Sequence, residues 1–301
     1  MAESHDNSET AARPVAASVL ATRPQPGLYL LATPIGSARD ITLRALDLLN
    51  SADVLAAEDT RNLRHLMDIH GVPLRGRRIL AYHDHNGDRQ RPAILQALEQ
   101  GASVAYASDA GTPLVADPGY RLARDAAEAG HKVHAVPGPS AALAALSVSG
   151  LPSDRFLFVG FPPSAAGARK RWIESWAATD ATVIAFESPK RVKQLLANIC
   201  ETEPNRATVI CRELTKKFEE VIRGTASEVL ERIPEEGLRG EIVVLFGHPE
   251  IVAPDEEVIR AELARLMQHM SVKDAASDVA AGFGLARRDV YALAITLKDK
   301  E

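Results

Sequence analysis

The sequence predicts an α/β protein with a mostly parallel sheet in an N-terminal domain, a mixed sheet in a second domain and a small helical C-terminal extension. Apolar strand-like runs alternate strictly with helical patterns from residue 27 to residue 149, which is typical of a parallel, doubly wound sheet. The tripeptide Gly150-Leu151-Pro152 then breaks the alternation. A chain of 301 residues is long enough for two domains that each have a core. The predicted domains are therefore 27–150 and 151–248.

Each element of the N-terminal domain has its own sequence signal. The predicted strands are the short apolar runs at 28–33, 54–57, 77–83, 103–107 and 132–136. The helix after the first strand is predicted to begin at Asp40 as its N-cap, and the helix after the second strand at Thr60. The last helix is predicted to run from about Ser140 to Ser149.

The second half of the chain has a different pattern. Four apolar runs and the alternating stretch KFEEVIRGT predict a second α/β domain with more antiparallel character. The stretch HPEIVAPDEE is predicted to be a linker, and residues 256–301 are predicted to be helical. Two short helices around Gly282–Gly284 are compatible with a helix-turn-helix or with a helical hairpin that packs on the body. Their predicted core consists of Ala275, Ala276, Val279, Ala280, Tyr291, Ala294 and Leu297.

Composition narrows the class of protein. Two cysteines argue against a disulfide framework, so a reducing cytosol is expected. No apolar run approaches the roughly 20 residues needed to cross a bilayer, so no membrane association is predicted, and residues 1–26 are predicted to be a disordered leader. A net charge of −5 argues mildly against a nucleic-acid partner, whereas local clusters of lysine and arginine permit a polyanion.

Three turns rich in glycine and proline are the most informative features. They follow predicted strands and read TPIG at 33–36, SDAGTPLVADPG at 108–119 and PGPS at 137–140. Such turns leave main-chain N–H and C=O groups bare, and open α/β sheets bind ligands at the carboxyl ends of parallel strands. Together the three loops would form the floor of a cleft. A merely structural turn, with Asp109 or Asp117 as a helix cap, is the alternative.

Polar side chains follow the second and third strands, as EDTR at 58–61 and HDHN at 83–86. Their position at strand ends favours contact with a substrate, and a surface turn is the alternative. His83 and His85 with a carboxylate would suit a metal ion, but a third ligand at suitable spacing is missing. No metal site is therefore predicted. The sequence also has no P-loop and no G-x-G-x-x-G after a strand, which disfavours a conventional dinucleotide site.

The motifs along the chain, taken in order, resemble one known family. They are LATPIGSARDITLRAL, AAEDTR, HDHN, SDAGTPLVADPGY, VPGPSA, GLPSDRFLFVGFPP, FESPKR, RELTK and RGEIVV. In this order and spacing they resemble the ribosomal RNA small subunit methyltransferase I family, within the tetrapyrrole methylase superfamily, over about residues 27–248. Ser37 departs from the family pattern, which more often has asparagine after Gly36.

The resemblance implies a tetrapyrrole-methylase-like fold with S-adenosyl-L-methionine in the cleft between two domains. It implies 2′-O-methylation of a cytidine ribose in the decoding region of 16S rRNA, with the rRNA or the small ribosomal subunit as the partner. It also implies a cytoplasmic homodimer. Carried over to matching positions, the cofactor contacts are Pro34, Asp109, Gly111, Thr112, Ser140, Ala141, Phe186, Leu214 and Gly240.

Catalytic and RNA-binding roles are expected on the remaining polar groups. A ribose hydroxyl is a weak acid, so a base or a polarising hydrogen bond is expected from Glu58, Asp59, His83 or Asn86. Alternatively, Asp59 orients Arg61 through an ion pair. The expected contacts with RNA are Arg61, Arg169, Lys170, Arg171, Lys190, Arg191 and Lys193. Two other functions stay open, namely methylation of a tetrapyrrole carbon and non-catalytic RNA binding by an assembly factor.

Overall fold

The computed structural model describes residues 23–83, 86–116, 119–249 and 256–298. The described residues fall into two compact units that divide between His248 and Pro249. Most of the predicted leader lies outside the described residues, as do part of the predicted linker and Asp84, His85, Asp117 and Pro118. No helix in these ranges is long and apolar enough to span a membrane.

The N-terminal half alternates strands and helices, as predicted. Its strands are β1 (Gly27–Leu31), β2 (Val54–Ala57), β3 (Ile79–Ala81), β4 (Ser103–Ala107) and β5 (Val133–Val136). Its helices are α1 (Leu43–Ser51), α2 (Thr60–Ile69), α3 (Gly87–Glu99), α4 (Tyr120–Glu128) and α5 (Ala141–Ser149). The strands form a sheet in the order β3-β2-β4-β1-β5, and every pair is parallel. All five strands therefore end at one edge, where the glycine-rich loops begin.

Helix α1 begins later than the sequence predicts. Asp40 ends a short 3-10 helix (Ala38–Asp40) and does not cap α1. Ile41 and Thr42 are extended, which separates the two helices. The Thr42 hydroxyl accepts a hydrogen bond from the Ala45 backbone N–H at 3.1 Å and caps α1. The prediction for Asp40 is wrong, because the extended pair places Thr42 at the helix start.

The second sheet is mixed, as predicted. Its strands are β6 (Phe156–Phe158), β7 (Thr182–Glu187), β8 (Ala207–Arg212), β9 (Glu220–Thr225) and β10 (Ile242–Phe246), in the order β6-β7-β10-β8-β9. Only the β6–β7 pair is parallel. Three helices accompany it, α6 (Ala166–Ala177), α7 (Val192–Cys200) and α8 (Ala226–Glu231). Ile242, the first residue of β10, pairs with Glu187 and with Arg212. The ends of β7 and β8 and the start of β10 thus share one edge.

Helix α5 joins the two sheets. Its sequence AALAALSVS is apolar on most sides, as expected for a helix with more than one buried face. Ala142 and Ala145 share a buried cluster with Ile184 and Leu245 of the second sheet. The last helix of the N-terminal half therefore packs on the C-terminal sheet, and the chain passes into β6 through Gly150–Pro152.

The C-terminal unit consists of α9 (Glu256–Met267), α10 (Val272–Phe283) and α11 (Arg287–Lys298). These helices surround a core of their own, which includes the predicted core residues Ala275, Ala276, Val279, Ala280 and Ala294. Tyr291 was also predicted to belong to this core but is exposed on α11. Gly284 has a φ of 66° and ends α10, so the turn before α11 uses the left-handed conformation that glycine adopts readily.

Candidate functional site

A cavity of about 350 Å³ opens between the loops of the two sheets in the N-terminal unit. This volume lies in the range of small-molecule sites. The N-terminal half contributes Ile35, Ala110, Gly111, Thr112, Val115, Ala116, Ser140 and Ala141. The C-terminal half contributes Phe161, Phe186, Glu187, Ser188, Pro189, Cys211, Leu214, Gly240, Glu241, Ile242 and Val243. Both sheet edges therefore meet at one site.

The cavity includes seven of the nine predicted cofactor contacts, namely Gly111, Thr112, Ser140, Ala141, Phe186, Leu214 and Gly240. Pro34 and Asp109 are not part of its lining. Pro34 directly precedes the lining residue Ile35. The exposed Asp109 carboxylate accepts a hydrogen bond from the Asp59 backbone N–H at 2.9 Å, which links the loops after β4 and β2.

Hydrogen bonds between the three glycine- and proline-rich loops hold the cavity floor. The Thr33 N–H donates to the Gly111 carbonyl at 2.9 Å, and the Gly111 N–H donates to the Thr33 carbonyl at 3.0 Å. The Thr112 hydroxyl donates to the Pro139 carbonyl at 3.0 Å. Gly111 has a φ of 80°, which glycine adopts without steric cost. The prediction that these loops form the floor of a cleft is confirmed.

Residues with strained backbone cluster around the cavity. Five non-glycine residues of the described part have positive φ. Four of these five either line the cavity or adjoin a lining residue in the sequence, namely Leu114, Ala116, Glu213 and Thr215. This conformation costs an L-residue roughly 1–2 kcal/mol and is rare for a β-branched side chain such as Thr215. Strained backbone persists where neighbouring groups fix it, and it concentrates at functional sites. The clustering supports a ligand-binding role for the loop after β4 and the loop after β8.

The C-terminal half gives the cavity an aromatic wall. The Phe186 ring packs edge-on against Phe158 and Phe161, with centroid distances of 4.8 and 5.5 Å. Phe161 lines the cavity although 55% of it is exposed. Phe161 was not among the predicted contacts, because its position after the short strand β6 resembles that of any apolar residue at a strand end. The GFPP turn that follows β6 is the signal that points to it.

A cluster of three charged side chains fixes the rim beside Gly240. The Lys216 ammonium donates to Glu213 Oε1 at 2.9 Å and to Glu241 Oε2 at 3.1 Å, and the Glu241 N–H donates to Glu213 Oε1 at 2.9 Å. The hydrogen bond from Lys216 lowers the pKa of Glu213. Burial acts to lower the pKa of Lys216, but its hydrogen bonds to the two glutamates raise it overall. Glu213 and Lys216 are therefore both charged at neutral pH.

Asp59 is committed to Arg61. Its carboxylate accepts hydrogen bonds from the Arg61 backbone N–H at 2.8 Å and from Nε and Nη2 at 3.1 and 2.6 Å, so Asp59 and not Thr60 caps α2. The Arg61 side-chain hydrogen bond lowers the pKa of Asp59 from 3.8 to about 2. The ion pair therefore stabilises the fold above pH 3.8, and this contribution is lost as the pH falls through about 2. A carboxylate with so low a pKa is a weak proton acceptor, which supports the alternative that Asp59 orients Arg61.

Asn86 closes the turn after β3. Its Oδ1 accepts from the His83 backbone N–H at 2.9 Å, and its Nδ2 donates to the Ala81 carbonyl at 3.0 Å. At the adjacent strand end, the Glu58 N–H donates to the Ala107 carbonyl at 3.3 Å. Glu58 and His83 are the other two ionisable side chains among the four candidates at this edge. Within the described ranges, no group of three histidine, cysteine or acidic side chains is placed to hold a metal ion.

The predicted RNA contact at Arg169 is wrong. Only 1% of this residue is exposed. Its guanidinium donates from Nε to Asn198 Oδ1 at 2.8 Å and from Nη1 to the Ser164 carbonyl at 3.1 Å. Arg169 therefore ties α6 to α7 inside the protein and is not available to a phosphate.

The other predicted RNA contacts divide into paired and unpaired side chains. Arg191 pairs with Glu187 at 2.7 Å and Lys193 with Glu235 at 2.6 Å. Arg61 pairs with Asp59, but 88% of its side chain is exposed. Among the predicted contacts, those that are exposed and form no ion pair with another described residue are Lys170, Arg171 and Lys190.

Comparisons with known proteins agree with this architecture. Residues 27–230 match the family described as Tetrapyrrole (Corrin/Porphyrin) Methylases, and residues 252–298 match the RsmI C-terminal HTH domain. The chain is 46% identical to the ribosomal RNA small subunit methyltransferase I of Mesorhizobium japonicum, over 91% of this chain and 93% of that protein. It is 35% identical to the protein of that name from Bacillus subtilis, over 88% and 92%.

Solved structures of lower identity share the fold. A diphthine synthase matches with a TM-score of 0.56 and 14% identity, over 73% of this chain and 89% of that one. A uroporphyrin-III-C-methyltransferase from Thermus thermophilus matches with a TM-score of 0.52 and 18% identity, over 74% and 94%. The predicted fold class is thereby confirmed.

Proposed function

Because this chain belongs to the ribosomal RNA small subunit methyltransferase I family, within the tetrapyrrole methylases, we propose that it methylates the ribosomal RNA of the small subunit. We propose S-adenosyl-L-methionine as the donor and the 2′-hydroxyl of a cytidine in the decoding region of 16S rRNA as the acceptor. The observation that carries the proposal is the cavity between the two sheets, which gathers seven of the nine residues expected to contact the donor. The cytoplasmic homodimer that the family implies stays a prediction.

The cavity suits the chemistry of this donor. When bound, S-adenosyl-L-methionine supplies an electrophilic methyl group on a positively charged sulfonium. Phe186 and Leu214 offer apolar surface to an adenine. Ser140 and Ala141 lie at the start of α5, and the Ser140 side chain makes no capping hydrogen bond there. Because the first N–H groups of a helix lack partners within it and favour negative charge, this end suits a ligand carboxylate.

Proton transfer is proposed to involve Glu58 or His83. The hydrogen bond from Arg61 lowers the pKa of Asp59, and the amide of Asn86 does not ionise near neutral pH. Neither side chain is therefore a good proton acceptor. We expect E58Q or H83A to lower kcat at saturating RNA, because a base or a polarising hydrogen bond assists loss of the hydroxyl proton. Calorimetry should show that each variant binds the donor as tightly as the wild type. If both variants turn over at the wild-type rate, this role is excluded at this edge.

Lys170, Arg171 and Lys190 are proposed to contact RNA phosphates, because they are exposed and basic. Each phosphate contact contributes about 0.7–0.9 to the slope of log K against log salt. We expect the triple alanine variant to bind small-subunit RNA more weakly and to reduce that slope by about 2. K132A is the matched control, since Lys132 is exposed and precedes β5 at the opposite edge of its sheet. Equal slopes for the triple variant and the wild type would reject these contacts.

The proposed function is tested by mapping ribose methylation on 16S rRNA from cells that lack this protein, with and without its gene restored. We expect one cytidine in the decoding region to lose its methyl group and to regain it on restoration. An unchanged methylation map would contradict the proposal. Tight binding of a corrinoid or porphyrin precursor would instead favour tetrapyrrole methylation, and absence of donor binding by calorimetry would favour an assembly factor.

A further inference from the structure

We propose that the loop between β8 and β9 (residues 213–219) presents Phe218, with Lys217 beside it, as a stacking surface for an unpaired nucleotide of the RNA substrate. The proposal rests on the proposed function, because it names how that substrate is held next to the cavity. Phe218 belongs neither to the family motifs nor to the lining of the cavity.

Phe218 is exposed without a packing role. Of its surface, 64% is accessible, and it belongs to none of the buried clusters of the described residues. The Lys217 ammonium lies 5.6 Å from the centroid of its ring, in the range of a cation–π contact. An exposed phenyl ring beside a positive charge offers stacking to a base and attraction to its phosphate.

The loop that carries Phe218 is held in one conformation. Glu213 and Thr215 have φ values of 50° and 63°, which neighbouring groups must enforce. The Thr215 N–H donates to Glu219 Oε2 at 2.5 Å, and the Thr215 hydroxyl accepts from the Ser37 N–H at 3.0 Å. The Glu219 N–H also donates to the Lys216 carbonyl at 3.1 Å. The ring is therefore exposed on a supported turn, which lowers the entropy that binding must overcome.

The same loop reaches the cavity. Leu214 lines it, and Gly36 of the first glycine-rich loop approaches so closely that a Cβ there would lie 2.5 Å from Lys216 Cγ. The loop therefore bridges the two sheets at the cavity rim. A base stacked on Phe218 would therefore be held by a loop that also lines the cavity through Leu214. Unpaired bases are what aromatic side chains recognise in RNA.

The test measures methyl transfer to small subunits that lack the modification, together with donor affinity. Loss of one base–aromatic stack costs about 1–3 kcal/mol, so F218A should raise KM for the subunit about tenfold. F218W should restore most of the affinity, because its ring also stacks. Calorimetry should give F218A the donor Kd of the wild type, which shows that the fold and cavity are intact.

F156A is the matched control, because Phe156 is a phenylalanine of similar exposure, 47%, at the start of the opposite edge strand β6. A KM for F218A within twofold of those of the wild type and F156A would overturn the proposal, as would a loss that F218W does not restore. Unchanged binding of protein-free small-subunit RNA by F218A, with a raised KM on assembled subunits, would indicate a ribosomal protein partner and would also overturn it. Absence of transfer by the wild-type protein would instead contradict the proposed function.

Discussion

Replacing Gly240 by valine is expected to weaken binding of the proposed methyl donor by about 100-fold. Gly240 lines the cavity with a φ of 89°, and a Cβ there would collide with the Glu213 carboxylate. The backbone conformation costs a β-branched residue at least about 1–2 kcal/mol. Moving Glu213 disrupts hydrogen bonds to Lys216 and Glu241, and hydrogen bonds to charged groups contribute about 1.5–3 kcal/mol each. Loss of one of these hydrogen bonds together with the backbone strain at residue 240 costs about 3 kcal/mol, which corresponds to about 100-fold in the donor Kd.

Gly76→Val is the matched control for this prediction. Gly76 has a φ of 75°, but no atom lies within 4 Å of the Cβ position, and the residue is not part of the cavity lining. G76V thus carries the same backbone strain without the collision. Calorimetry should give G76V a donor Kd within twofold of the wild type and G240V a donor Kd weaker by about 100-fold. Equal donor affinities for the two variants would mean that the rim does not contact the donor.

The position of the site could be predicted from the sequence, because it follows from topology. Strict alternation of strands and helices makes the sheet parallel, and a parallel sheet collects its strand ends at one edge. The loops at Thr33 and Gly111, which the motifs identified, therefore meet there and exchange backbone hydrogen bonds. The N-cap at Asp59 could not be identified from the sequence alone, because both aspartate and threonine are favourable at this position. The structure shows that Asp59 is the cap and that Thr60 is the first residue of α2.

Side-chain burial was harder to predict than position. The sequence ARKRW contains three consecutive basic residues that looked equivalent, but successive residues of a helix point about 100° apart. Arg169 shares a stripe with Ile173 and Trp176, all buried on α6, whereas Lys170 and Arg171 face outwards. The spacing of this stripe was present in the sequence. The acceptor Asn198 on α7 was not predictable, since only the tertiary fold brings it to Arg169.

Two basic residues of the FESPKRVK segment, Arg191 and Lys193, are expected to contribute very differently to the stability of the fold. R191A should lower the free energy of unfolding by about 3 kcal/mol, because it leaves a buried carboxylate without its partner. The Glu187 side chain is 1% exposed, and its Oε1 accepts from Arg191 Nη2 at 2.7 Å and from the Ser188 N–H at 2.7 Å. K193A should lower it by less than about 1 kcal/mol, since its partner Glu235 is exposed. Urea unfolding at pH 7 measures both.

A second substitution separates the buried charge from other effects of R191A. In the double variant E187Q/R191A the buried side chain at position 187 is neutral. The double variant should therefore lose less than half as much free energy of unfolding as R191A loses. If Arg191 instead contacts RNA as the sequence predicts, R191A should keep the wild-type unfolding free energy and reduce the salt slope of RNA binding by about 0.7–0.9. That result would contradict the structural role of Arg191.

Because Glu187 also lines the cavity, R191A should weaken donor binding as well, whereas K193A should not.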